Sequence, residues 1–401
     1  MQLSTEICNQ QGHIAVVLGA HINGLGVIRS LGKAGLPVIA VDRQNMMGQY
    51  SRYCTQRLVW GERGQEDFIA KMVGLGTRLR RKAVLFITDD LYFRYCSAAA
   101  AVLQEYFFLP FNRQWGEASI DKAFQYKICQ DNHISCPLTF TVSDHNQLNG
   151  LLRKRDTLPY PLIIKPGDQS QALSSSILGR LLQVDGPEEL LGLAYRLEGP
   201  LNLIVSEVIP GEPDSLWAYN AYCNRPGEVM AGWTAQKLSQ RPYRHGSFTI
   251  MRAACQPEVA QLGKTVLRAL KIEGPAEVEF KWDKRLNQFQ YIETNPRHIQ
   301  YNHLGLLVGV DLVLAHYYSA VGDEGKARQW AGQQHPAEAY MVLAGQELAN
   351  ILELPGAVRR GGRLLQLAFS PRRIWAIHDC KDWGPTLQYL RHLLNKAWKR
   401  Q

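Results

Sequence analysis

One stretch limits what this chain can fold into more than any other: Glu279–Arg297, which reads EFKWDKRLNQFQYIETNPR. Val278, Phe280 and Trp282 alternate with Glu279 and Lys281, and a polar turn, Asp283 to Asn287, follows. Phe289, Tyr291 and Thr294 then bracket a second alternation that carries Glu293. A period of two predicts β-strand, with the apolar side chains on one face and Glu279 and Lys281 on the other. Paired as a hairpin, the strands set Glu279 opposite Glu293, with Asn295 just beyond. Two carboxylates and an amide oxygen are hard donors that suit Mg²⁺ held together with nucleotide phosphates. Arg297 adds a fixed cation suited to an anionic oxygen. The competing reading is a surface hairpin with two solvated glutamates. The compact run Glu293-Thr-Asn-Pro-Arg297 weighs against it.

A Glu on one strand followed by Glu-x-Asn-x-Arg on the next resembles the metal-binding core of the ATP-grasp superfamily. That superfamily contains carboxylate–amine and carboxylate–thiol ligases and biotin carboxylases. Glu279, Glu293, Asn295 and Arg297 match the pattern position by position. The resemblance implies an α/β protein that is α+β in its catalytic part. A Rossmann-like domain over residues 1–112 precedes a two-lobed ATP-grasp domain over 113–322, whose lid spans about 130–205. A C-terminal extension, 323–401, is expected to pack on the core.

Composition agrees with a globular chain: 401 residues, 46% hydrophobic and 20% charged. The length suits two or three packed units. No apolar run reaches the length of a membrane span. Met1 to His13 lacks the basic-then-apolar order of a secretory signal. The expectation is a soluble, cytoplasmic protein. Eight scattered cysteines, without a C-x-x-C or zinc spacing, read as free thiols. The net charge of +9 attracts anions. No nucleic-acid-binding motif accompanies it, so ATP is the simpler partner.

In chain order, IAVVLG (14–19) is an apolar strand, followed by a Gly-rich turn, a helix and a second strand, Leu36 to Val41, ending at Asp42. The glycine spacing departs from G-x-G-x-x-G, so a tight turn for close helix packing is favoured over a dinucleotide site. Family likeness makes His21 and Asn23 candidate substrate contacts. Asp89 and Asp90 end another buried strand, Ala83 to Thr88. They read equally as a ligand for a substrate ammonium or as a helix N-cap.

The family also assigns roles further along. Lys122, in the first turn of a helix, and Lys165, ending the strand Pro161–Lys165, contact nucleotide phosphates. Glu207, Val208 and Ile209 form the adenine hinge, and Asp214, or alternatively Glu212, takes the ribose. The lid between Gly167 and Gly179 departs from the Gly-rich pattern and offers Ser174, Ser175 and Ser176 instead. Lys237 and Arg297 are assigned to phosphate or substrate, and the density of cations from Arg241 to Arg252, beyond what the nucleotide needs, makes Arg244 and Arg252 candidates to hold an anionic substrate. The basic segment that holds Arg241, Arg244, His245 and Arg252 is read as a loop that lines the acceptor site. Its spacing looks most like the carboxylate–amine ligase branch that contains D-aspartate ligase.

The implied activity is an ADP-forming ligase that uses ATP and Mg²⁺, with Mn²⁺ as a substitute. It joins a small carboxylate to an amine, at least one of them anionic. The alternatives are a biotin-carboxylase-type enzyme or a non-catalytic nucleotide-binding scaffold. A dimer is compatible with the chain. His298 is a candidate substrate contact, although a lone histidine is more often structural. In the last helix, Leu387, Leu390, Leu394 and Trp398 form a stripe expected to dock on the protein's own core. Lys396, Lys399 and Arg400 leave contact with an anionic membrane surface as the lesser reading.

Overall fold

The computed structural model describes residues 3–167, 181–243 and 246–398. The lid serines Ser174 to Ser176, the pair Arg244 and His245, and Lys399 and Arg400 lie outside the described residues, as do the side chains of Lys396 and Trp398.

Three sheets organise the chain. The first is parallel, with strands β1 (Ala15–Leu18), β2 (Val38–Asp42), β3 (Gln56–Val59), β4 (Ala83–Ile87) and β5 (Phe107–Phe108) in the order β3-β2-β1-β4-β5. β1, β2 and β4 are buried along their whole length, which is why their sequences are continuous apolar runs. The strand order reverses between β1 and β4. The turns after these strands therefore open onto the edge where ligands of such sheets bind. The β1 turn needs glycine. Gly19 has φ +87°, and a Cβ there would lie 2.6 Å from Thr88 Oγ1. A Cβ on Gly24 would meet the Gly19 carbonyl, so the helix Ile22–Lys33 sits hard against the turn. Asp42, which a dinucleotide site would leave free, is spent on the backbone. It accepts hydrogen bonds from the Ala20 and Arg43 N–H groups, both at 2.7 Å.

The second sheet is small and antiparallel: β6 (Thr139–Val142), β7 (Leu162–Pro166), β8 (Leu182–Val184) and β9 (Leu203–Glu207), in the order β6-β9-β7-β8. The third carries the chemistry. Its strands are β10 (Leu216–Arg225), β11 (Glu228–Arg241), β12 (Ser247–Ala253), β13 (Gly274–Asp283), β14 (Gln288–Asn295), β15 (Ala339–Val342) and β16 (Arg373–Trp375), in the order β14-β13-β10-β11-β12-β15-β16. β13 and β14 form the expected hairpin. Val278, Phe280, Phe289 and Tyr291 fill its apolar side, packed under the helix Pro257–Ala269. Each such side chain contributes about 1.5–3 kcal/mol on burial. The C-terminal portion is continuous with this sheet, because β15 pairs with β12 and then with β16.

Two sequence expectations are corrected. β11 runs to Arg241 and β12 starts at Ser247, so the basic segment is mostly strand rather than loop. The leucine stripe of the last helix, Gly384–Trp398, does not dock on the core: Leu387, Leu390 and Leu394 are exposed.

Candidate active site

Glu279 pairs in register with Glu293, and Glu277 with Asn295. The register shifts between Glu279 and Phe280, where Tyr291 rather than Ile292 becomes the partner. Ile292 is thus an inserted residue, a β-bulge. It lets Tyr291 point into the core while Glu293 turns to the opposite face, beside Glu279. Strict alternation would have placed Glu293 on the same side as Phe289 and Tyr291.

A bulge leaves backbone groups without ladder partners, and the helix Lys122–Asp131 supplies them. Gln125, 1% exposed, donates to the Thr294 carbonyl at 2.8 Å and accepts from the Thr294 N–H at 3.1 Å. Tyr126 donates to the Ile292 carbonyl at 2.7 Å. Asp121 caps the helix by accepting from the Phe124 N–H. This docking sets Lys122 Nζ 2.6 Å from Glu293 Oε2.

Three further cations converge. Lys237 Nζ on β11 lies 3.6 Å from Glu279 Oε2. Lys165, at the end of β7, lies within reach of the charges of Lys122, Glu293, Glu279 and Lys237. Arg297 is gripped by Asp90, just beyond β4 of the parallel sheet, through Nε and Nη2, and its Nη2 lies 3.5 Å from Asn295 Oδ1.

Each charge shift has a cause. Lys122 foremost, with Lys165 and Lys237, overrides burial and holds the Glu293 carboxyl far below the usual carboxylate range. Burial pulls the Lys122 ammonium down, but Glu293 more than offsets it, and the net shift is upward. Burial also pushes Lys165 down, and neighbouring Lys122 adds to the effect. Burial opposes charge on Arg297 and on Asp90, yet each stabilises the other's charged form.

Several residues of the site went unnoticed in the sequence. Glu277 accepts from Asn295 Nδ2 at 2.9 Å and from the Tyr301 hydroxyl. Burial, followed by the nearby Glu279 charge, pushes its carboxyl up to about 7. Its position two residues before Glu279 puts both on one strand face, a signal that was legible. Gln125 and Tyr301 carried no such signal, whereas Lys281 was legible on the same face as Glu279 but without a role.

Along β13 the same face presents Glu277, Glu279 and Lys281 in turn, about 6.5–7 Å apart. Lys281 Nζ donates to the Ile209 carbonyl at 2.7 Å, so the hinge expected for adenine lies next to the carboxylate pair. Glu207 faces Arg285 at 3.3 Å, and the Val208 N–H is taken by the Pro161 carbonyl. Asp214 is exposed, and its carbonyl accepts from Gln236. Glu212 accepts from the Tyr243 hydroxyl.

Other candidates fall away from the cluster. Arg252 pairs in register with Gln236, the neighbour of Lys237, so it projects from the opposite face of the sheet. There it binds Glu338 at 2.8 Å and Gln236. Arg241 binds Glu353. Asp89 is a helix N-cap, accepting from the Leu91 N–H at 2.9 Å. Asn23 ties its helix to the Thr88 carbonyl at 2.9 Å. His298 is fully buried between His316 and Asn302.

The fold matches solved structures over most of the chain. An L-amino acid ligase from Bacillus licheniformis superposes with a TM-score of 0.62 at 14% identity, covering 83% of this chain and 80% of that one. The biotin carboxylase domain of the 2-oxoglutarate carboxylase from Hydrogenobacter thermophilus, in complex with MgADP, ADP and bicarbonate, gives 0.62 at 16% identity, covering 82% and 74%. This chain has the ATP-grasp fold. By sequence, the chain is 24% identical over 313 residues to a D-aspartate ligase from Enterococcus faecium (strain Aus0004), spanning 75% of this chain and 74% of the relative. No family model matches the sequence.

The donor set suits a magnesium ion held with phosphate. Among the described residues no three His, Cys, Asp or Glu side chains form a closed metal cage. Two carboxylates and one amide oxygen leave coordination positions for phosphate oxygens and water, as Mg²⁺ prefers.

Proposed function

We propose that this chain is an ATP-dependent ligase that joins a carboxylate to an amine and releases ADP and phosphate. The observation that carries the reading is the meeting of Glu279, Glu293 and Asn295 with Lys122, Lys165 and Lys237 in one cluster of charges. The structural and sequence relatives named ligases support it.

A carboxylate oxygen of the substrate attacks the γ-phosphorus of ATP, and the bond to the β,γ-bridging oxygen breaks. ADP leaves, and an acylphosphate remains. The amine nitrogen then attacks the acyl carbon, phosphate departs with the former carboxylate oxygen, and the ammonium proton is lost to solvent or a nearby base. Both reactants are anionic at the first step, so the difficulty is charge and alignment. Lys122 and Lys165 hold the phosphates, and Lys237 and Arg297 stabilise charge on the transferring group. Glu279, Glu293 and Asn295 would hold Mg²⁺, which when bound offsets phosphate charge. The hinge Glu207–Ile209 holds adenine, with Asp214 or Glu212 on the ribose. The anionic partner is the carboxylate being activated, and an amino acid as amine would be a second. Arg252, facing the other way, is not part of this reading.

The test is ADP release from MgATP across a panel of amino acids and small carboxylates, paired with detection of an amide product. Turnover with bicarbonate and biotin alone would favour the carboxylase alternative. Nucleotide binding without turnover across the panel would favour a scaffold.

A further inference from the structure

The positive charge of this chain is not spread evenly. Residues 354–401 hold ten Lys or Arg against two Asp, which accounts for +8 of the net +9. Both aspartates are committed to the first domain: Asp379 to Lys33 at 3.1 Å and Asp382 to Arg29 at 2.9 Å. The outward surface of the segment therefore has cations and no free carboxylate.

The same segment leaves large apolar side chains in water. In the helix Ala357–Ala368, the inner side is anchored by Leu367, with Leu364, against Ile250 and Val342 of the main sheet. The outer side carries Val358, Leu365 and, just past the end, Phe369, at 91%, 62% and 80% exposure. Their spacing of seven and eleven residues puts them on one face. Arg359 and Arg372 are exposed beside them. The helix Gly384–Trp398 repeats the arrangement, with Leu387 and Leu394 at 61% and 71% exposure and Arg391 exposed between them.

We propose that the C-terminal segment docks on an anionic phospholipid surface, inserting the exposed apolar face of the helix Ala357–Ala368 and setting Arg359 and Arg372 against lipid phosphates. Apolar residues flanked by cations without carboxylates are the chemistry of interfacial helices. A second copy of the chain is the poorer occupant, because a two-fold interface would bring like-charged faces together. The leucine repeat of the last helix is also shorter than the three to four heptads a coiled coil needs. The inference is independent of the ligase reading, because none of these residues is in the charge cluster.

Sedimentation of the full chain with vesicles tests it. Vesicles of phosphatidylcholine with phosphatidylglycerol are expected to carry the protein down, and pure phosphatidylcholine vesicles to leave it in solution. Arg359→Gln and Arg372→Gln each lower the partition roughly fivefold. Leu365→Glu with Phe369→Glu lowers it about tenfold or more. All variants keep wild-type nucleotide affinity and circular dichroism. The proposal is overturned by equal binding to neutral vesicles, by no binding at physiological salt, or by a partition that ignores these substitutions. It is equally overturned if the variants abolish self-association or RNA binding while the wild type ignores vesicles.

Discussion

Replacing Lys165 by Met separates function from stability, because the two respond with opposite sign. No carboxylate lies within 4 Å of Lys165 among the described residues, in contrast to Lys122 and Lys237. Its ammonium is opposed by burial and by two like charges, which shifts it downward. Such a group weakens the empty protein, and on the proposed reading it gains its partner when phosphate arrives. Lys165→Met keeps the length of the side chain and removes the charge. Loss of a charge-assisted contact in this half-buried site costs about 2–3 kcal/mol of ATP binding, roughly thirty- to a hundred-and-fifty-fold in Kd. The melting temperature without nucleotide rises, by about 2–4 °C for each kcal/mol relieved. A lysine with a depressed folded pKa costs stability below that pKa and costs nothing once pH exceeds its ordinary 10.5. The variant's thermal advantage is thus largest near neutral pH and fades as pH rises through the lysine range. Calorimetry for ATP and thermal melts over a pH series measure both. Unchanged Kd, or a lower melting temperature in the variant, refutes the reasoning.

Glu279→Gln and Glu293→Gln each abolish Mg²⁺-dependent turnover while circular dichroism stays that of the wild type; full activity in both sinks the metal assignment. Lys122→Met removes the cation bound to Glu293, so Mn²⁺ alone binds more tightly by electron paramagnetic resonance while MgATP binds more weakly; weaker Mn²⁺ binding contradicts it. Gln125→Leu strands buried donors and acceptors at the bulge, each worth about 1–3 kcal/mol. Its melting temperature drops and kcat falls with it, and a merely cooler melt with wild-type kcat shows that the bulge does not depend on Gln125. Glu277 has a folded pKa of about 7 against an ordinary 4.5, so metal-free wild type loses stability as pH rises between those values. Glu277→Gln is free of that loss, and the melting difference between variant and wild type grows from pH 5 to pH 8; a constant difference argues against it.

The hairpin was legible because local chemistry and sheet periodicity agree there. Buried parallel strands such as Ala83–Ile87 announce themselves as continuous apolar runs, and Asp121 before Lys122 is an ordinary helix cap. The bulge at Ile292 was not read: the step of three from Tyr291 to Thr294 breaks the period of two, but only the partner strand shows which residue is inserted. Gln125 escaped notice because its role is to satisfy backbone groups of a distant strand. Arg252 shows the reverse error. Charge density suggested a ligand site, yet strand parity sends it to the opposite face from Lys237. The leucine stripe of the last helix marks an apolar face correctly, but periodicity alone does not say what covers that face.

The cluster stores its charges in pairs. Lys122 rests on Glu293, Lys237 on Glu279, and Arg297 on Asp90, while Lys165 stands apart. Buried charges left single cost several kcal/mol each, so an empty phosphate site made of cations alone would strain the fold. Pairing these cations with carboxylates avoids that strain, and on the proposed reading Glu279 and Glu293 would take Mg²⁺ in the bound state. Ligand binding then becomes an exchange of partners rather than a creation of charge. Asp90 extends this arrangement across the boundary between sheets, because it belongs to the first domain while Arg297 follows β14. The orientation of Arg297 thereby depends on how the first domain sits. The Arg297–Asp90 pair thus joins the switch-point edge of the parallel sheet to the carboxylate hairpin.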